Sequence, residues 1–419
     1  MTKHALATAW LVHCAALLLF ALGTCQATVF AESPGPQPLP WEQVKSQGYE
    51  FVHPGIAHSQ ENLGLVKQKI KAGEQPWTDA FRRLQQSRFA DLSWRADPQE
   101  HVERGARNDP DIGSTEFVVD GNACYTLALC WALTGEEAYA RKAAEIIDAW
   151  SGTLLSIGNH DAKLLIGMLG HQYCNAAELL RHTWNGWPES RQARFEAMIK
   201  RVWLPIIEDF YPTANGNWDA SMIQTMLAMG VFTEDRQVFN RAIEYYLHGE
   251  GNGAVRNYFN EFGECQESGR DQSHTQMGLE FLLNACETAW IQGIDLYSAY
   301  DDRLLKGFEY TAKYNLGFEV PYEPYTSFEK RYYYPKISNE ARGRLRPMYH
   351  KALNHYGARG GKNAEYTSMA AVLTASGSAQ THKNSRRRLR GASMLLWDEL
   401  MYAQPLVSKD DSASDDDAD

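Results

Sequence analysis

The sequence predicts an all-α protein, an (α/α) toroid of antiparallel helical hairpins with a cleft lined by the loops between helices. Three observations lead there. Apolar residues recur at helical spacing along most of the chain. Alternating strand patterns are scarce. The linkers between apolar stripes are short and carry turn residues, as in "LTGEE", "NGWPES", "GVFTED" and "IQGIDL". Helices joined this way form antiparallel hairpins. No fixed repeat period appears, which favours a closed ring over a regular solenoid.

The elements follow in chain order. Lys3 and His4 precede the apolar run "ALATAWLVHCAALLLFALG", and small residues stand near Ala31. This pattern predicts a secretory signal at 1–31, removed from a secreted, extracellular or periplasmic protein, rather than a membrane anchor. Four prolines from Pro34 to Pro40 predict a stiff leader over 32–48. The toroid is expected over 49–404. Tyr139, Ala143, Ile146, Ile147 and Trp150 keep helical spacing. So do Phe195, Met198, Ile199, Val202, Trp203, Ile206 and Phe210, and then Val238, Phe239, Ala242, Ile243 and Tyr246. Further apolar stripes lie near 122–133, 162–180, 220–230, 276–290, 295–314 and 364–374. The end, 405–419, reads as an acidic disordered tail.

Charge and cysteine narrow the class. The chain of 419 residues carries a net charge of −11. The one basic run, "KNSRRRLR" at 383–390, is isolated and lacks the interleaved aromatics of a nucleic-acid surface. A partner that is a polyanion would need positive charge focused in a cleft. Beyond the signal, Cys124, Cys130, Cys174, Cys265 and Cys286 remain, mostly buried thiols with room for one disulfide. No Cys/His spacing suggests zinc and no acidic loop suggests calcium, so neither a metal nor a cofactor is expected. A monomer is expected.

Three polar stretches interrupt the helices. In "YPTANGNWDASM", Asn217 and Trp218 follow a turn signal. They read as an Asx turn over a buried tryptophan, or as an amide beside an aromatic platform that holds a sugar. "GECQESGRDQSHTQMG" gathers Glu267, Arg270 and His274 at a helix start, whose amides favour negative charge. That is either a capping and salt-bridge cluster or a base in a binding wall. "SNEARGRLRPMYHKALNHY" brings Arg342, Arg344 and Arg346 to Pro347, with Tyr349 in the first turn of the helix that follows and Tyr356 two turns on. It reads as a carboxylate-binding wall or a basic loop with two half-buried tyrosines.

Taken together, "HPGIAHSQENL", "GNWDASMIQTMLAMGVF", "GECQESGRDQSHTQMGLEFL" and "RLRPMYHKALNHY" resemble the alginate-lyase-like polysaccharide lyases, most similarly polysaccharide lyase family 38, over roughly residues 50–375. The resemblance implies an (α/α) toroid and metal-free β-elimination on a uronate polymer such as alginate or polymannuronate. It further implies that Asn217 and Glu267, with an arginine from 342–346, bind the substrate carboxylate. His274 and Tyr349 would be the proton-transfer pair.

The chemistry explains why such residues are wanted. Removing the C5 proton of a uronate puts charge on its carboxylate, which pre-oriented donors must neutralise. A base takes the C5 proton and an acid protonates the departing O4. Glu267 would have to be neutral to donate there. Three other functions remain open to the sequence: a glucuronan lyase, a glycoside hydrolase built on two of Asp219, Glu264, Glu267 and Asp271, and a non-catalytic polysaccharide-binding protein.

Overall fold

The inner helices are buried over most of their surface, and that fixes the architecture. A computed structural model describes residues 37–375 and 396–405. The expected signal at 1–31, the basic run at 383–390 and all but the first residue of the acidic tail lie outside the described residues. From Pro38 onward the chain forms one unit. It begins with α1 (Trp41–Gln47), α2 (Gln60–Lys71) and α3 (Trp77–Gln85). The long hairpins follow: α4 (Ser114–Thr134), α5 (Glu137–Thr153), α6 (Ala162–Thr183) and α7 (Glu189–Met198). After them come α8 (Asn217–Phe232), α9 (Arg236–His248), α10 (Gln272–Ile291) and α11 (Ala299–Asn315). The described chain ends with α12 (Tyr349–Leu353), α13 (Glu365–Ala375) and α14 (Asp398–Met401).

The helix signals of the sequence act locally. Ser59 caps α2 through the Asn62 amide, and Asp235 caps α9 through the Gln237 and Val238 amides. Gly135 ends α4 with φ 75°, which a residue without Cβ accepts readily. By length and apolarity α4 would suit a membrane span, but it is buried in the core.

The inner layer runs α4, α6, α8, α10, with α5 and α9 outside α4 and α8. α12 then packs on α14, α14 on α2 and α3, and α2 on α4, which closes the ring. The toroid expected from periodicity is therefore the fold. A belt of buried amides crosses its inner helices at one level. Gln172 of α6 donates to Asn122 of α4 at 3.0 Å, and Asn284 of α10 donates to Gln224 of α8 at 2.9 Å. Lys351 of α12 donates to Asn284 at 2.6 Å and pairs with Asp398 of α14 at 3.1 Å. Buried polar groups are tolerated only when they satisfy one another, so the belt fixes the register of successive helices. Lys351 and its carboxylate partner Asp398 are both buried. Lys351→Met is expected to lower unfolding stability by about 3–5 kcal/mol, read by urea titration, because it strands a buried charge.

Two expectations change. The leader of 32–48 is not all outside the fold. Leu39 exchanges backbone hydrogen bonds with Gly293 and Asp295, and the buried Trp41 indole donates to Glu244 at 2.8 Å. Small sheets also occur that periodicity did not signal. One joins 101–104, 111–112 and 156–158, and the other is a hairpin pairing Tyr325–Thr326 with Tyr333–Tyr334. All five described cysteines are buried free thiols.

Candidate active site

The first turn of α8 is the centre of the site. The residue before it, Gly216, has no side chain to cap the helix, so the caps arrive from another loop. Gln266 Oε1 accepts the Gly216 N–H at 2.8 Å, and Glu267 Oε2 accepts the Asn217 N–H at 3.0 Å. Gln266 also donates to Asn215 Oδ1 at 3.0 Å. Two of the three polar stretches are thus sewn together at a helix N-terminus, where anions are favoured.

Glu267 is fully buried, and among the described residues its carboxylate accepts every hydrogen bond it makes. Besides Asn217, the Tyr258 hydroxyl donates to Oε2 at 2.8 Å and Arg270 Nη1 donates to Oε1 at 2.7 Å. Tyr258 reaches it across the bare backbone of α10: a Cβ on Gly278 would stand 1.8 Å from the Tyr258 hydroxyl. A Cβ on Gly216 would stand 2.3 Å from the same ring. Glu267 therefore faces protein donors. The sequence reading had it donating to substrate; in the structure it holds Asn217, Tyr258 and Arg270 in place.

Asn217 is different. Its side chain is buried, yet neither its amide oxygen nor its amide nitrogen has a hydrogen-bond partner among the described residues. An orphaned buried amide costs about 1–3 kcal/mol. It marks a place built for something other than stability.

His274 lies one turn past Arg270. Asp271 caps α10 by accepting the His274 N–H at 2.8 Å, and its other oxygen lies 2.6 Å from His274 Nδ1. Burial works against the Asp271 anion, but the His274 ring and amide and the Arg270 guanidinium outweigh it and hold this carboxyl below its usual range. The ring thus donates from Nδ1, and Nε2 presents its lone pair toward Arg270 Nη2 at 3.1 Å. Burial of Arg270 is likewise outweighed by Glu267, which raises its pKa and keeps it a cation.

The third polar stretch goes elsewhere. Arg342 donates to the carbonyls of Tyr314 and Phe318 at the end of α11 and lies on the Tyr314 ring. Arg346 pairs with the buried Glu280 of α10. The Arg344 side chain is exposed, and its carbonyl accepts from Gln276. Tyr349 is fully buried against Phe308, with its hydroxyl 3.3 Å from Gln276 Oε1. Gln276 is two residues from His274, so it projects from nearly the opposite side of the helix. Among the described residues, Arg342, Arg346 and Tyr349 thus make their hydrogen bonds and ion pairs with groups other than Asn217 and His274. The expected common helix face of Tyr349 and Tyr356 is also interrupted, because α12 passes into a π turn at Asn354–Arg359. Tyr356 is buried there, donating to the Tyr297 carbonyl at 3.3 Å.

A tyrosine that the sequence reading passed over lies beside the Glu267–Arg270 cluster. Tyr334, on the second strand of the hairpin, donates to Asn215 Oδ1 at 3.1 Å and is half-buried. Its strand rests on the bare Gly269 backbone, where a Cβ would stand 2.3 Å from Tyr334 Cβ. Burial first and the Glu267 carboxylate next raise its hydroxyl to about 12, with Arg270 and Asn215 pulling the other way. It stays protonated at neutral pH. The signal was present in "YEPYTSFEKRYYYPK": three tyrosines before a proline are strand-forming residues at a strand end.

Aromatic and basic groups extend the wall. Trp218 is half-exposed and meets His160 and Tyr211 edge-on, with centroids 5.6 and 5.5 Å away. Arg331, exposed on the hairpin, donates to Tyr211 Oη at 2.9 Å and to Thr213 Oγ1 at 3.0 Å. The carboxylates that a hydrolase would recruit are committed. Asp219 is buried, accepts from Tyr245 and the Tyr211 amide, and is raised by burial to about 6. Glu264 is buried, accepts the Glu323 amide and is raised by burial to about 7.

Comparisons with known proteins agree with this architecture. The family model described as alginate lyase matches residues 71–319. Among solved structures, alginate lyase A1-III from Sphingomonas species A1 superposes with a TM-score of 0.57 at 13% identity, covering 82% of this chain and 95% of that one. An alginate lyase from Bacteroides ovatus gives 0.53 at 15% identity, covering 81% and 99%. At such identities these two share the fold. No curated protein sequence matches the chain.

Proposed function

The chain belongs to the alginate lyase family, and from that premise we propose that it cleaves a uronate polymer of the alginate type by β-elimination. The observation that carries the reading is the orphaned Asn217 amide, set at a helix N-terminus capped by the same Glu267 that binds Arg270, whose other nitrogen meets His274 Nε2.

Each step has a group. The substrate carboxylate is taken by the Asn217 amide and by the Arg270 Nη2 donor that meets His274 in the free protein, with the α8 N-terminus behind them. These donors neutralise the charge that develops as the C5–H bond breaks. Once Arg270 turns to the carboxylate, His274 Nε2 is released to take the C5 proton, and Asp271 stabilises the imidazolium. The C4–O4 bond then breaks, C4=C5 forms, and Tyr334 gives its proton to O4. Two separate proton-transfer groups serve epimers whose C5 proton lies on either side of the ring. Trp218 offers the platform on which a neighbouring sugar stacks, and Arg331 stands where an adjacent carboxylate would pass. Glu267 acts as a positioning residue. The buried, protein-bonded state of Asp219, Glu264 and Glu267 speaks against the hydrolase alternative, whose two carboxylates must flank the bond.

The test is the product. Elimination leaves a 4,5-unsaturated end that absorbs in the ultraviolet, whereas hydrolysis leaves none. Absorbance should rise on polymannuronate; a silent trace with falling polymer length would mean hydrolysis. Asn217→Ala is expected to slow that rise about 100- to 1000-fold while raising stability slightly, because it removes both a transition-state donor and an orphaned buried amide. Near-normal turnover would place the carboxylate elsewhere. An N-terminal secretory signal suits an enzyme whose substrate is a polymer, and we propose secretion on that ground alone.

A further inference from the structure

At the opposite end of α6 from the candidate active site, two imidazoles and a carboxylate converge. His53, Glu178 and His182 each offer a ligand atom, and these atoms lie within 4.8 Å of one another. Glu178 and His182 are one helical turn apart, so they share a face of α6. His53 comes from the segment before α2 and sits across from them. Along the helix, His182 is about 30 Å from Ala162 at the active-site end.

The carboxylate is the telling member. Glu178 is buried with 1% of its surface exposed. Its Oε1 meets His53 Nδ1 at 2.6 Å and the Gly55 N–H at 3.1 Å. Its Oε2 has no hydrogen-bond partner among the described residues. His182 Nε2 faces that oxygen from 3.6 Å, too far for a hydrogen bond. The two rings lie parallel, 4.2 Å apart, each with a nitrogen turned toward the same buried group. Arg181, the nearest cation on α6, is committed to Glu196, Gln192 and the Phe232 carbonyl.

We infer that His53, Glu178 and His182 form a site for a borderline divalent cation of the zinc class, which ties the segment before α2 to the end of α6. A zinc ion bonds imidazole nitrogen and carboxylate oxygen at about 2.0–2.2 Å, so one ion fits between three atoms this close once the stacked rings swing out of parallel and both lone pairs turn to it. Two nitrogens and one oxygen suit zinc or its neighbours better than calcium or magnesium, which favour all-oxygen shells. The far nitrogen of His53 lies 3.7 Å from Glu234 Oε1. A metal-bound histidine commonly turns its other nitrogen to a carboxylate in this way. A cavity of about 330 Å³ lined by Glu50, Phe51, His53, Glu234 and Arg236 gives the ion a way in. The site serves stability and stands apart from the elimination chemistry.

The full chain, dialysed against chelator and then titrated with zinc alone, tests this. Expected are about one equivalent of bound zinc and a rise in Tm of about 3 °C or more at 100-fold excess over Kd. Cobalt in place of zinc should give the visible absorption of a nitrogen-ligated ion. His182→Ala removes a solvent-reached ring at a helix end and should fold normally while losing both signals. Glu178→Gln keeps the shape of the buried group and should weaken binding at least about 10-fold. His248→Ala, in the surface cluster of Glu42, Glu244 and His248, should change neither signal. The inference is overturned by absence of zinc binding and of the Tm rise, by their survival in both His182→Ala and Glu178→Gln, or by their loss in His248→Ala.

Discussion

Tyr334→Phe is expected to lower turnover on polymannuronate by about 100- to 10,000-fold, the range for losing a positioned proton-transfer group. The ring stays, with its packing on the Gly269 backbone, and only the hydroxyl goes. The lost bond to Asn215 should cost about 1 kcal/mol of stability, so the folded fraction stays near that of the parent. Tyr349→Phe is the paired measurement. Its ring is fully buried and its hydroxyl meets Gln276 at 3.3 Å. It should therefore be a stability variant, shifting the unfolding midpoint by about 1 kcal/mol or less with turnover largely kept. Initial rates by ultraviolet absorbance and unfolding curves for both variants decide the matter. Loss of turnover in Tyr349→Phe with Tyr334→Phe active would return the acid to the α12 helix and imply a rearrangement of that face.

His274→Ala should lose about 100- to 10,000-fold on substrates that depend on a separate base. Its geometry sets the role: Asp271 fixes Nδ1 as the donor, and Nε2 is left to accept. Asp271→Asn should act through it, because an amide can present its N–H to the ring and turn it to the other tautomer. The distinguishing readout is the pH profile of kcat, whose lower limb should move in Asp271→Asn, while KM stays close to the parent value. If His274→Ala keeps near-parent turnover on both mannuronate-rich and guluronate-rich polymers, tyrosine alone performs both proton transfers and histidine only positions Arg270.

Much of the frame was legible in the chain. Helical periodicity and short polar linkers specified hairpins, because burying one face of each helix leaves few other arrangements. Asn217, Glu267, Arg270 and His274 were legible as well, since they crowd at two helix starts and a short stretch of chain cannot separate them far. The expectation for Glu267 differed in sense: nothing local shows that Tyr258, Arg270 and the Asn217 amide would all point their protons at it. Its neighbours come from three segments.

Where the chain folds back on itself, local reading had no purchase. Arg342, Arg346 and Tyr349 follow a polar run much like the other two, yet α10 turns its opposite side to them, and only helix packing decides which side that is. Tyr334 reaches the site because a two-stranded hairpin crosses the bare backbone at Gly269, a contact between residues some 65 apart that no periodicity encodes. The same holds for His53, which lies 125 positions from Glu178. The spacing of Glu178 and His182 on one helix face was readable, but the third ligand was not. Sequence alone determined which segments are helical and where polar chemistry is concentrated, because propensity and amphipathic spacing are local properties. Tertiary structure alone decided which of those polar groups meet, because close packing of the ring sets distances between residues that the chain itself leaves far apart.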